Sequence, residues 1–153
     1  MKRIIIFILV LIVLQPVNVL AFTINSKHAI LYNLDENTVL YEKDSNSKTY
    51  IASMTKIMTC LVALDSIKNL NEEVTITSDM LKGLREANAS VAGLSVGEKV
   101  TYQDLLYGLM LPSGADAAQA LAIKTSGSVD NFVVKMNAKA RSLGLKNTHF
   151  VNP

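Results

Sequence analysis

The chain has 153 residues, half of them hydrophobic and 18% charged, with a formal net charge of +2. That length allows one ordinary domain and little more, and the absence of a Lys/Arg cluster or an aromatic-basic stripe argues against a nucleic-acid partner. The single cysteine, Cys60, excludes an internal disulfide. No Cys, His and carboxylate cluster has metal-ligand spacing, so neither metal nor cofactor is expected.

Met1-Lys2-Arg3 is a basic start, followed by an unbroken apolar run over residues 4–14 and by Val19-Leu20-Ala21, small or modest residues suited to cleavage. Together these describe a secretory signal peptide over residues 1–21. The run is short for a membrane-spanning helix, and a retained N-terminal anchor is the alternative. An exported protein is expected, its mature chain beginning near Phe22 and acting outside the cytoplasm, in the periplasm or on the cell-wall side of the membrane.

Residues 29–34 and 38–42 read as a β-hairpin closed by the polar turn Asp35-Glu36-Asn37. A polar loop over 43–48 leads to a helix from Met54 to about Lys68. Its apolar residues lie nearly all round, which predicts burial on every side. Cys60 reads as a small core residue of that helix, and His28 and His149 as isolated surface or loop histidines. Residues 73–77 are either a short strand or an extended linker, and Ser78 looks like the cap of a short helix through Arg85. Residues 88–98 are loop-like. Thr101 with Asp104 is a variant capping box that opens a helix through Leu111, which Pro112 stops. An Ala-rich helix follows over 114–124, and Ser128 caps a last one running to about Leu143, with Gly144 as its stop. The fold class is α+β: an N-terminal antiparallel hairpin, part of a sheet, and a mainly helical body packed on it.

Ser53-Met54-Thr55-Lys56 is a Ser-x-x-Lys tetrad. So is Ser45-Asn46-Ser47-Lys48, but the latter lies in a polar loop where both side chains are simply solvated. Ser53 instead opens the long apolar helix, and Lys56 shares its face three residues on. A lysine on a buried helix should lose some preference for the charged form and become a usable base. A serine hydroxyl needs such a base to become nucleophilic, and a helix N-terminus offers N–H groups to a developing oxyanion. The plainer reading, a helix-capping serine beside a snorkelling lysine, stays open at this point. Ser113, at the break between two helices, is by itself a capping residue. Beside Ser53 and Lys56 it becomes a candidate proton relay.

The segment Tyr50-Ile51-Ala52-Ser53-Met54-Thr55-Lys56-Ile57-Met58-Thr59 resembles the first motif of the serine-type D-alanyl-D-alanine carboxypeptidases, the low-molecular-mass penicillin-binding proteins. The hairpin ahead of it, Gly97-Glu98-Lys99-Val100-Thr101, Asp104-Leu105-Leu106-Tyr107-Gly108 and the closing Phe150-Val151-Asn152-Pro153 are similar to further parts of that family. The resemblance implies that residues 22–153 are the N-terminal part of a D,D-carboxypeptidase or transpeptidase-like catalytic domain, shared in architecture with serine β-lactamases. It implies an acyl-enzyme on Ser53, with release of the terminal D-alanine of a peptidoglycan stem peptide. Lys56 is implied as base, Ser113 as the first residue of the Ser-x-Asn motif, and β-lactams as covalent inhibitors. Two departures stand out. Ala115 replaces the family asparagine, and the Lys-Thr-Gly motif is absent from the sequence, so the substrate-binding residues stay unknown. The catalytic domain is expected to be incomplete and inactive as this chain stands, and any membrane association would come through segments not present. A class A-like serine β-lactamase relative and a non-catalytic remnant or binding module are the alternatives.

Overall fold

The structure is a computed structural model that describes residues 23–153; the expected signal peptide lies outside them. The described residues fall into two compact units, one ending at Thr49 and one spanning Tyr50–Pro153.

In the first unit, β1 (Ala29–Asn33) pairs antiparallel with β2 (Thr38–Lys43), with a register shift between Leu31 and Tyr32. The expected hairpin is present, one residue shorter at the end of β1. Asn33 ends the strand because its side-chain Oδ1 accepts from the N–H groups of Asp35 and Glu36, an Asx turn that competes with the ladder. Asn37 completes the reversal in the left-handed region, which asparagine tolerates. His28 bonds through Nδ1 to the Asp44 carbonyl.

The second unit is mainly helical. A 3-10 turn, Ala52–Met54, leads into α1 (Thr55–Ser66), and then come β3 (Glu73–Thr75), β4 (Lys99–Thr101), α2 (Tyr102–Met110), α3 (Ala115–Ser126) and α4 (Val129–Ser142). The α+β class holds. β3 is a true strand, paired antiparallel with β4, and Val74 on it is fully buried. The Thr101 box forms as expected. Asp104 N donates to Thr101 Oγ1, and Thr101 N donates to Asp104 Oδ2. The Thr101 hydroxyl also donates to that carboxylate, and these bonds hold the Asp104 carboxyl below its ordinary value. Ser128 Oγ likewise accepts from Asn131 N at the start of α4, and Gly144 ends it with a left-handed φ of 75°.

Two expectations need correction. The helix assigned to residues 78–85 is a single 3-10 turn, Ser78–Leu81, entered from the extended backbone of Thr77. Gly83, at φ 79°, lies within the turn-rich stretch that replaces the second helical turn. The long apolar helix is buried on one side only. Met58, Thr59, Val62 and Ala63 enter the core, whereas Ile57, Leu61 and Leu64 are 54%, 41% and 43% exposed. All-round apolar composition suits a helix packed on two sides; here α2, α3 and α4 cover only one. The core itself centres on α3, whose Ala117, Ala118, Ala120, Leu121 and Ala122 are buried beside Leu105, Leu109, Phe132 and Met136. Small alanines let the neighbouring helices close on α3. Cys60 packs against this core half-buried, and burial pushes its thiol pKa up, which suits a packing role.

Candidate active site

Ser53 lies in the 3-10 turn ahead of α1, and neither the turn nor α1 receives a side-chain cap. Its hydroxyl is therefore not engaged in capping. Instead Ser53 Oγ accepts a hydrogen bond from Ser113 Oγ at 2.8 Å, across 60 residues of chain. Ser113 is not a cap either, because the residue preceding α3 is Gly114 and no side chain caps that helix. The two serines that sequence reasoning could read as caps are bonded to one another.

The backbone around them is strained. Outside glycine, five described residues have positive φ: Asn37, Asp44, Asn88, Ala52 and Ser113. The first three are types that tolerate the left-handed region. Ala52 (φ 46°) and Ser113 (φ 60°) are not, and each costs roughly 1–2 kcal/mol there. One directly precedes Ser53, and the other carries the partner hydroxyl. Such strain persists only where the surroundings over-determine it, and it clusters at functional sites.

Lys56, the second residue of α1, lies one turn beyond Ser53 and is half-buried. The lysine–carboxylate pairs among the described residues are Lys99–Glu73 and Lys139–Asp65, so no carboxylate is paired with Lys56 there. Ala115 opens α3, its N–H donating to the Ser90 carbonyl at 2.8 Å. Its methyl offers no side-chain hydrogen bond at this position.

Sequence reasoning missed Asp116. It is 1% exposed. Oδ1 accepts from Ala92 N at 2.8 Å and Ala117 N at 2.9 Å, and Oδ2 accepts from Gly93 N at 2.9 Å and Leu94 N at 3.0 Å. The usable signal was a lone acid in the run Gly114-Ala115-Asp116-Ala117-Ala118, where every neighbour is small enough to bury it.

Gly114 is required by space. A Cβ there would lie 2.6 Å from the Gly108 carbonyl oxygen, 2.7 Å from Asp116 Oδ1 and 2.9 Å from Ala92 N, mostly backbone atoms that cannot swing away. Its φ of −68° would suit any residue. Gly114→Ala is expected to destabilise the protein by about 1–3 kcal/mol through overpacking, read as a lower urea midpoint. An unchanged midpoint would show that the segment yields freely.

The family Peptidase S11, D-alanyl-D-alanine carboxypeptidase, matches residues 15–153. The chain is 43% identical over 132 residues to D-alanyl-D-alanine carboxypeptidase DacF of Bacillus subtilis (strain 168), covering 84% of this chain and 33% of that protein. It is 48% identical over 125 residues to a D-alanyl-D-alanine carboxypeptidase of Streptomyces sp. (strain K15), covering 77% and 43%. Among solved structures, the Streptomyces K15 DD-transpeptidase is similar with a TM-score of 0.82 and 43% identity, over 88% of this chain and 54% of that one. Penicillin binding protein 5 from Haemophilus influenzae follows at a TM-score of 0.79 and 32% identity, over 89% and 40%. The chain thus spans less than half the length of these curated relatives. It belongs to the Peptidase S11 family of D-alanyl-D-alanine carboxypeptidases.

Proposed function

We propose that the full-length protein carrying this sequence removes the terminal D-alanine from peptidoglycan stem peptides through an acyl-enzyme on Ser53. The observation that supports this best is the 2.8 Å bond joining Ser53 Oγ to Ser113 Oγ on strained backbone. In this reading Lys56 takes the proton as Ser53 Oγ attacks the carbonyl carbon of the penultimate D-alanine. An ester forms, the peptide bond breaks, and the departing amine of D-alanine receives a proton relayed through Ser113. Water then hydrolyses the ester and frees Ser53. β-Lactams would acylate the same hydroxyl. The stem peptide places the work on the outer side of the cytoplasmic membrane, consistent with an exported protein.

The sequence holds no Lys-Thr-Gly motif, and one face of α1 (Ile57, Leu61, Leu64) is exposed beside the proposed nucleophile. The chain spans less than half the length of its curated relatives, so the activity proposed here is that of a protein of their length. The test is D-alanine release from a stem pentapeptide by the full-length protein, alongside labelling by a fluorescent penicillin. Release of D-alanine with a stable penicillin adduct is expected. Rapid β-lactam turnover without D-alanine release would instead indicate a β-lactamase, and neither activity would indicate a non-catalytic binding module.

A further inference from the structure

Asp116 is a buried carboxylate that the chemistry proposed above does not use. A charged group out of water is tolerated only when its hydrogen bonds are made, and here four backbone N–H groups serve it. Three of them, from consecutive residues 92–94, converge on one side chain from 22 to 24 positions upstream. Gly93 turns with φ 94°, so that its neighbours' N–H groups can face the same carboxylate, the concave arrangement that favours an anion.

This grip bears on Ser113. After Ser113 each of the next three residues is anchored: Gly114 N to the Gly108 carbonyl at 2.9 Å, Ala115 N to the Ser90 carbonyl at 2.8 Å, and Asp116 to residues 92–94. The last two anchors tie the same pair of segments together. With the carboxylate gone, the Ala115–Ser90 bond is the one hydrogen bond left between them among the described residues, and the left-handed Ser113 would be free to relax.

We propose that Asp116 is a positioning residue for acyl transfer: by holding the N–H groups of residues 92–94 against the start of α3, its carboxylate fixes the backbone of Ser113 and aims Ser113 Oγ at Ser53. The inference rests on the reading of Ser53 and Ser113 as acyl-transfer residues.

Asp116→Asn keeps the shape but replaces one acceptor oxygen by a donor facing N–H groups. In the full-length protein it is expected to melt cooperatively while the maximal acylation rate by fluorescent penicillin falls about 10- to 100-fold, the scale of an ångström's misplacement. In a Ser113→Ala background the same change should cost less than about threefold, because the two residues act as a unit. Asp116→Ala opens a carboxylate-sized gap, and sodium formate should restore part of its rate relative to matched sodium chloride. Losses that multiply across the double-mutant cycle overturn the proposal, as does a folded Asp116→Asn protein that acylates at the parent rate. If neither variant folds, Asp116 serves stability alone and the proposal falls. A parent protein that penicillin does not label at all sinks the underlying acyl-transfer reading. A labelled parent beside an unaffected Asp116→Asn sinks only the role of Asp116.

Discussion

Ser53→Ala is expected to abolish covalent labelling of the full-length protein by a fluorescent penicillin, a loss on the order of 10⁴-fold or more. Ser53 is exposed, and its side chain is bonded to Ser113, so the substitution removes an attacking oxygen and little packing. The melting temperature should barely move, since surface substitutions usually stay within about 0.5 kcal/mol. That combination separates a lost nucleophile from a lost fold. Ser45 supplies the control. Its tetrad partner Lys48 is exposed, and Ser45 Oγ donates to Glu42 Oε2 in the loop after the hairpin. Labelling that survives Ser53→Ala but disappears on replacing Ser45 would place the chemistry on the Ser45 tetrad instead.

The tetrad was legible because spacing within one helical turn is a local property, and because a polar loop and an apolar helix look different in composition. Two serines that local reading could take for caps show where that reading stops. Ser53 and Ser113 each precede a helix, so each fits a cap, and only the tertiary fold joins them across 60 residues. The resemblance to a family suggested their partnership; no periodicity did. Thr101 and Ser128, whose capping bonds involve the backbone three residues on, were correctly anticipated. The partners of Asp116 were illegible for the same reason as those of Ser113. In the chain Asp116 is an acid in the first turn of a helix, a position the helix dipole favours anyway, and its loop partners lie in a stretch without regular structure. The burial of α1 was overestimated because composition reports how apolar a helix is, not how many neighbours reach it. Ile57, Leu61 and Leu64 recur along one stripe whose exposure is set by the tertiary packing.

Lys56→Arg is expected to suppress acylation by about 10²–10⁴-fold, nearly as strongly as Lys56→Ala, the range for loss of a general base. The substitution keeps a positive charge and a long apolar stem at a half-buried position of α1, so the fold should tolerate it. What it removes is a releasable proton site, because a guanidinium does not deprotonate near neutral pH. A lysine serving as half of a structural ion pair would be rescued by arginine. The structure gives no such role, since Asp65 in the last turn of α1 is held by Lys139 at 2.8 Å and no carboxylate pairs with Lys56 among the described residues. Location supports the base reading as well: Lys56 lies one turn beyond Ser53, on the neighbouring surface of a continuous 3-10 and α-helical segment. The measurement is the second-order rate constant for penicillin acylation of parent, Lys56→Arg and Lys56→Ala proteins, with melting curves for all three. An arginine variant that acylates near the parent rate, while alanine does not, would show that Lys56 acts through its charge and that another group accepts the proton of Ser53.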